Sequence, residues 1–232
     1  MSADATLARA VEKQMRNWEI ARQQRPGPER EAHEADVHEF VTISRRAGSA
    51  GIEIARELGE RLGWPVFDRE ILQHMAKDDA LRARLYENMD ERDTSWLESV
   101  LRWVLHGEFR KEDYFHRLTE TVLALARQGP AVFLGRGADL ILPKDRGLRV
   151  ALYAPEDVRV REYAAVHGCD EKTARDQIHA ADAEREEFIR NHFAVDPNDI
   201  TRFDLLLNVG RLTRTQVVEI IAAALAARGD NA

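Results

Sequence analysis

The chain has 232 residues, of which 32% are charged and 44% hydrophobic, and its formal net charge is -7. This composition is typical of a globular protein and argues against a disordered chain, and no apolar run approaches the roughly 18 residues needed to span a bilayer. The single cysteine excludes an intramolecular disulfide. The acidic balance argues against a nucleic-acid polymer as partner, and the polar start MSADATLARAVEKQ is unlike a signal peptide. We therefore expect a cytoplasmic protein with no membrane partner.

The first predicted element is a helix over residues 5–24. Its apolar residues fall on one stripe at helical spacing: Leu7, Val11, Met15 and Trp18. The helix breaker RPGPER and a charged stretch follow, up to about Val37. We interpret residues 1–36 as a helical extension and linker that packs on the body of the protein or on a partner.

The most informative stretch is FVTISRRAGSAGIEIARELGERLG, residues 40–63. Val41 and Ile43 alternate with polar neighbours, which is typical of a strand. The loop AGSAG brings small residues to a point where backbone N–H groups can approach a phosphate, and we expect Ser49 to cap the helix that follows. Gly63 stands where a helix ends. The pattern predicts a strand, an anion-binding turn and a helix.

The loop departs from the phosphate-loop consensus, which ends in Gly-Lys-Ser or Gly-Lys-Thr. The final glycine of that pattern falls at Ala50, the lysine at Gly51 and the hydroxyl residue at Ile52, so all the fixed positions have changed. Arg45 precedes the loop and is the best substitute for the missing cation, with Arg46 in reserve. An ordinary strand-to-helix turn remains the alternative interpretation.

Four further strands are predicted, over residues 64–67, 131–134, 148–153 and 203–208. A mostly helical section separates the second from the third, a charged helical stretch separates the last two, and an alanine-rich helix over 215–227 ends the chain. Short apolar strands between helices predict a parallel sheet covered on both faces. Ligands gather at the carboxyl ends of such strands, and arginine or an acid follows nearly every one.

Several ordered blocks carry a family resemblance. They are TISRRAGSAGIEIARELGERLGWPVFDREIL, VFLGRGADLIL, LRVALYAPEDVRVR, DAERE and FDLLLNVGRLT. From about Val37 to the C-terminus the chain resembles the cytidylate kinase-like proteins, a branch of the P-loop nucleoside monophosphate kinases. The resemblance implies an α/β three-layer sandwich over 37–232, with a five-stranded parallel sheet, a helical insert at about 70–128 and a lid at about 156–197. Together with the five strand candidates, it predicts that the 40–43 strand lies in the middle of the sheet.

The resemblance also implies ATP and Mg²⁺ as cofactors and a nucleoside monophosphate as phosphoryl acceptor, with a cytidylate-like acceptor favoured. The catalytic cations it implies are Arg45, Arg159 and Arg161. The implied ATP-binding residues are Ser44, Arg46, Gly48, Ser49, Ala50 and Gly51. The implied substrate-binding residues are Asp68, Arg69, Arg136, Asp139, Asp182 and Arg185. No metal ligand is assigned, and Arg136 and Arg185 are expected to face the same cleft as Ser49.

Simpler interpretations stand beside these roles. Asp68 occupies a common helix-capping position, and Asp182 with Arg185 has the spacing of a helical salt bridge. The histidines lack ligand spacing for zinc, and no Ser-His-Asp arrangement is evident. Two alternative functions remain open, a nucleotide-binding or regulatory protein without transfer activity and a small-molecule kinase. The acceptor base and the oligomeric state are left open as well.

Overall fold

The structure is a computed structural model, and it describes residues 3–23, 37–87, 89, 95–97, 101, 113–144 and 146–229. The strands are β1 (Phe40–Arg45), β2 (Val66–Phe67), β3 (Ala131–Leu134), β4 (Gly147–Tyr153) and β5 (Leu205–Asn208). The helices are α1 (Ala3–Gln23), α2 (Gly51–Leu62), α3 (Arg69–Lys77), α4 (Asp79–Tyr86), α5 (Asp113–Gln128), α6 (Ala138–Ile141), α7 (Glu156–His167), α8 (Glu171–Phe193) and α9 (Arg214–Gly229).

The five strands form one parallel sheet in the order β2-β3-β1-β4-β5. Phe40 pairs with Ala131 on one side and with Gly147 on the other, so β1 lies in the middle. The predicted fold class and the central position of β1 are confirmed. β5 begins two residues later than predicted because a 3₁₀ turn over Ile200–Arg202 precedes it, and the amide of Phe203 closes that turn.

The two faces of the sheet bury different sets of side chains, because successive residues of a strand point to opposite faces. Phe40, Phe67 and Phe133 lie on the face that packs against α1, α3 and α5. Val41 and Ile43 lie on the other face, against α2 and α9. Helices thus cover both faces, as the continuous apolar strands predict.

The N-terminal helix packs on this body. Val11 and Met15 are buried in the same core as α3, and the Gln14 side chain accepts a hydrogen bond from the Val66 amide at 2.9 Å. The breaker and the charged linker predicted between this helix and about Val37 lie outside the described residues. In the part of the chain described above, no helix combines the length and apolar composition that crossing a membrane requires.

The predicted lid consists of α7 and α8, which pack on each other. A small core joins them to the loop after β1: Ala47, Val160, Ala174 and Ile178 are all buried in it. The loop therefore contacts the lid segment directly. In the predicted helical insert, the described parts are α3, α4, α5 and a few residues between them.

Candidate functional site

The loop between β1 and α2 has a backbone suited to an anion. Gly48 and Ala50 both have positive φ, 76° and 48°, on either side of Ser49. A residue with positive φ next to one with negative φ turns successive backbone N–H groups toward one concavity, where an anion can bind. This segment leads into the N-terminus of α2, where the helix dipole favours negative charge. The predicted phosphate-binding turn thus has a suitable backbone although the consensus side chains are absent.

The prediction that Ser49 caps α2 is wrong. The N-cap position belongs to Ala50, and no side chain makes a capping hydrogen bond there. The Ser49 hydroxyl is buried and has no hydrogen-bond partner among the described residues. The reason is the loop conformation: the left-handed backbone of Ala50 starts the helix one residue later than a serine cap would need.

The carboxylate of Asp182, on α8, holds the loop in place. It accepts hydrogen bonds from the Ala47 amide at 2.7 Å, from Nη1 of Arg159 at 2.7 Å and from Nη1 of Arg185 at 2.9 Å. Arg159 also donates to the Ala47 carbonyl at 3.1 Å, and its own carbonyl lies directly against Gly48. Asp182 and Arg159 are almost fully buried, so their charges compensate each other inside the protein.

Two further carboxylates of α8 pair with arginines at strand ends. Glu186 accepts from Arg46 at 2.7 Å, and Glu184 pairs with Arg69. Arg46 is also bound to the Asn198 side chain at 2.7 Å. Sequence reasoning missed Glu184 and Glu186 because an acidic helix is usually solvated. The signal that points to them is the DAERE block, which the family resemblance had already singled out.

Arg45 and Arg136 differ from these arginines. Neither makes a side-chain hydrogen bond or ion pair with any residue that the structure describes, although Arg136 stacks on the Phe188 ring with its guanidinium carbon 4.8 Å from the ring centroid. The pKa of Arg45 is lowered to about 10; burial is the main cause, the charge of Arg185 acts in the same direction, and Asp68 opposes the shift. Burial also lowers the pKa of Arg136.

Arg45, Arg69, Arg136 and Arg185 form what we term the arginine cluster. All four line one cavity of about 420 Å³ at the carboxyl edge of the sheet. Its other walls come from the ends of β4 and β5, from α8 and from the segment after α8, with Ser44, Tyr153, Phe188, Phe203 and Leu206 among the lining residues. The cavity therefore joins a cationic end to a mostly apolar wall.

Seven of the predicted site residues line this cavity: Ser44, Arg45, Arg46, Arg69, Arg136, Asp182 and Arg185. The other eight are absent from its lining: Gly48, Ser49, Ala50, Gly51, Asp68, Asp139, Arg159 and Arg161. Ser49 is buried and is absent from the cavity lining, whereas Arg136 and Arg185 both line it. The Asp68 carboxylate caps α3 by accepting from the Glu70 and Ile71 amides, each at 3.0 Å. The simpler interpretation of Asp68 as a helix cap is thus what the structure shows.

Asp139 and Arg161 lie away from the cavity. Asp139 is buried, accepts a hydrogen bond from the Ser44 hydroxyl at 3.4 Å and lies 3.5 Å from Arg202; burial raises the pKa of Asp139, and Arg202 opposes that rise. Asp139 therefore contacts the Ser44 side chain and does not itself line the cavity. Arg161 is exposed and pairs with Asp157 of the same helix at 3.2 Å. In this conformation it does not reach the arginine cluster.

The described residues do not fit a protein-held Mg²⁺ ion. No three His, Cys, Asp or Glu side chains within the described ranges are arranged to bind a metal. The hydroxyl position of the loop is Ile52, and the Asp68 and Asp182 carboxylates already accept the hydrogen bonds described above. Magnesium usually keeps water and substrate phosphates as ligands, so a nucleotide phosphate chain would carry the ion instead.

Chemically, this arrangement suits phosphate. Guanidinium groups form bidentate hydrogen bonds with phosphate oxygens, and these hydrogen bonds are stronger in a buried site than in water. Two of the cluster arginines bring positive charge to the cavity without a carboxylate partner within the described chain. An anion bound between them would relieve their mutual repulsion.

Comparisons with known proteins agree with this geometry. The sequence model of the cytidylate kinase-like family matches residues 40–211. The cytidylate kinase of Pyrococcus horikoshii is 24% identical over 186 residues, which cover 80% of this chain and 87% of that protein. The cytidylate kinase of Methanopyrus kandleri is 24% identical over 195 residues, covering 80% and 92%.

Among solved structures, an uncharacterized protein from Eubacterium ventriosum has a similar fold. The TM-score is 0.66 at 18% sequence identity, and the match covers 83% of this chain and 99% of that one. This likeness concerns the fold alone, whereas the family match spans most of the chain, including the loop, the arginine cluster and α8. The chain belongs to the cytidylate kinase-like family.

Proposed function

We propose that the protein is an ATP-dependent kinase that phosphorylates a nucleoside monophosphate, with a cytidylate-like acceptor favoured. The observation that carries this proposal is the arginine cluster beside the glycine-containing loop. Its members come from the ends of β1 and β3, the start of α3 and the middle of α8. Phosphoryl transfer requires little covalent help from protein groups, but it requires positive charge on the transferring oxygens and in-line positioning.

In this proposal the loop from Ser44 to Gly51 binds the phosphates of ATP through its backbone N–H groups. Arg136 and Arg185 bind the phosphate of the acceptor, and Arg69 adds charge at the same end. Arg45 lies between the loop and these residues, as its packing on Gly51 and Gly135 indicates. Its guanidinium would stabilise the charge on the phosphoryl group in transit.

The organic part of the acceptor would occupy the apolar side of the cavity, near Phe188 and Phe203. Aromatic rings and aliphatic side chains offer flat and apolar surface to a base. Asp182 has a supporting role in this scheme, because its hydrogen bonds fix Ala47, Arg159 and Arg185 relative to one another. Closure of α7 and α8 over the nucleotides would exclude water from the transfer.

One observation favours a second candidate, a nucleotide-binding protein without transfer activity. The Asp182 carboxylate already occupies the Ala47 amide, and every fixed consensus position of the loop has changed. A protein that kept the fold and lost catalysis would tolerate both features. The two candidates differ in turnover, so an activity measurement separates them.

The test is a transfer assay with purified full-length protein, ATP and a panel of acceptors, with and without Mg²⁺. The panel contains the four common ribonucleoside monophosphates, deoxycytidylate, and small hydroxyl compounds without a base. We expect ATP-dependent diphosphate formation that is fastest with cytidylate. Binding of ATP without transfer to any acceptor would favour the second candidate, and transfer to a non-nucleotide hydroxyl alone would overturn the acceptor class.

A further inference from the structure

The phosphate-loop pattern of this chain is altered reciprocally at two positions. In the pattern G-x-x-x-x-G-K-[ST], glycine is the first residue and lysine is the seventh. The corresponding residues here are Arg45 and Gly51. Compared with that pattern, the long cationic side chain of this chain lies at the end of the strand and not at the start of the helix, and a glycine occupies the lysine position.

The packing of Arg45 on Gly51 links the two changes. A Cβ atom added to Gly51 would lie 2.8 Å from Cγ of Arg45 and 3.3 Å from both its Cβ and its Cδ. These atoms form the base of the Arg45 side chain, which the backbone of β1 holds in place. The Arg45 side chain therefore fills the space in which any side chain at position 51 would begin.

A second glycine accommodates the other end of Arg45. The Nη1 atom of Arg45 lies directly against Gly135, at the point where a side chain of residue 135 would start. The Gly135 amide donates to the Ile43 carbonyl at 3.0 Å, so this contact is fixed beside β1. Gly51 thus makes room for the base of the side chain, and Gly135 makes room for its guanidinium.

The same packing distinguishes Arg45 from its neighbour. Arg46 is bound to Glu186 and Asn198. Arg45, in contrast, has no side-chain hydrogen bond or ion pair with the described part of the chain, and the other members of the arginine cluster surround it. A nearly buried guanidinium in such surroundings is available to an anion.

We propose that Arg45 and Gly51 are a coupled pair that does the work of a phosphate-loop lysine, with Gly51 and Gly135 as positioning residues. The ligand is the terminal phosphate group of a nucleoside triphosphate. This inference rests on the proposed function, because it assigns to Arg45 the donor phosphates of that same site. It adds that the cation enters from the strand side and that position 51 must lack a side chain.

The first test is a double-mutant cycle on ATP binding, measured by calorimetry with inorganic tripolyphosphate as a second probe. We expect Arg45→Gly and Gly51→Lys each to weaken binding at least about 10-fold. The double variant R45G/G51K restores the consensus residues at these two positions and leaves Ala50 and Ile52 unchanged, and we expect it to bind within about 3-fold of the wild type. Additive losses in the double variant would overturn the inference, as would a wild type that binds neither probe.

The second test measures the steric coupling by thermal unfolding and does not depend on any ligand. Alanine is a better helix former than glycine, so Gly51→Ala should stabilise α2 wherever there is room for the methyl group. We expect it to raise Tm by roughly 2–4 °C in an Arg45→Gly background and to lower Tm in the wild type. The matched control is Arg46→Gly, in which Gly51→Ala should still lower Tm.

The two tests separate failure of the inference from failure of the proposed function. If the wild type binds ATP but transfers to no acceptor, the proposed function fails, and the binding cycle still decides the pairing. If the wild type transfers a phosphoryl group but Gly51→Ala changes Tm equally in both backgrounds, the pairing is overturned and the proposed function stands.

A substitution of Gly135 cannot test its contact with Arg45 by thermal unfolding, because its φ of 79° strains any other residue at that position.

Discussion

The arginines around the loop fall into two groups with opposite surroundings. Arg46, Arg69, Arg159 and Arg185 each pair with a carboxylate of α8. Arg45 and Arg136 have no such partner in the described chain, although burial lowers the pKa of both. Carboxylates of α8 compensate the charges of the first group, three of whose members, Arg46, Arg69 and Arg185, also line the cavity, whereas the second group brings its charge to the cavity without a carboxylate partner in the described chain.

The largest effect is expected from the paired group, on stability. Asp182→Ala leaves Arg159 buried without its carboxylate and frees the Ala47 amide, and breaking a buried ion pair costs about 3–5 kcal/mol. We expect a fall in Tm of roughly 10 °C, measured by calorimetry. Asp182→Asn is the matched control, because an amide oxygen can still accept from Ala47. An Asp182→Ala protein as stable as the wild type would contradict the supporting role of this carboxylate.

The next effect concerns the unpaired group and turnover. Removing one charge-stabilising group from a preorganised site typically costs about 10²-fold or more in kcat. We expect Arg45→Ala to lose at least that much in a transfer assay while remaining folded by circular dichroism. Arg45→Lys should recover only part of the rate, because a point charge does not replace a planar bidentate fork. Wild-type turnover in Arg45→Ala would refute the assignment.

Arg136 is expected to act on the acceptor more than on ATP. Its guanidinium lies over Phe188, and both residues line the cavity. A charged hydrogen bond is worth about 1.5–3 kcal/mol, so Arg136→Ala should raise the acceptor KM roughly 10-fold or more. The ATP KM serves as the internal control. Equal increases in both constants would count against this division of roles.

The pH dependence of activity should follow the charge of Arg45. Because its pKa is lowered to about 10, the guanidinium is charged below that pH and becomes neutral as the pH rises through it, so kcat/KM should fall there. Folding depresses this pKa, and therefore the unfavourable contribution of Arg45 to stability is fully present below about pH 10 and is lost progressively as the pH rises from there to the unperturbed pKa of arginine.

Arg45→Lys provides the matched test of that assignment. The same surroundings act on a group whose unperturbed pKa is about 2 units lower, so the fall in kcat/KM should begin about 2 pH units lower. Identical pH profiles in the wild type and in Arg45→Lys would show that another group controls the high-pH limb.

The smallest effect is expected at Arg161. It is exposed and pairs only with Asp157 on its own helix among the described residues, and such pairs contribute little to stability. We expect Arg161→Ala to leave Tm within about 1 °C of the wild type and kcat nearly unchanged. A large loss of kcat would reveal a closed conformation in which Arg161 reaches the phosphates, as the family resemblance implies.

Much of the fold could be predicted because its signals are local. Alternation in FVTIS, short apolar strands and helical spacing between them predicted the sheet and its parallel direction, and the family resemblance added the central place of β1. The edge that collects arginines followed from the same pattern, since the carboxyl ends of parallel strands lie together. The local pattern gave a wrong helix cap at Ser49, because the left-handed backbone of Ala50 places the N-cap of α2 one residue later.

Residue patterns and the family resemblance were enough to predict the fold class, the loop and the set of arginines near it. The pairing of Arg46 and Arg69 could not be predicted in this way, because Glu186 is 140 positions from Arg46 and Glu184 is 115 positions from Arg69. Only the tertiary structure decided these pairings, and it also decided that Asp139 contacts Ser44 and that Arg45 packs on Gly51 and Gly135. Periodicity and composition report which face a residue occupies, whereas charge compensation and close packing depend on residues that meet only in the folded chain.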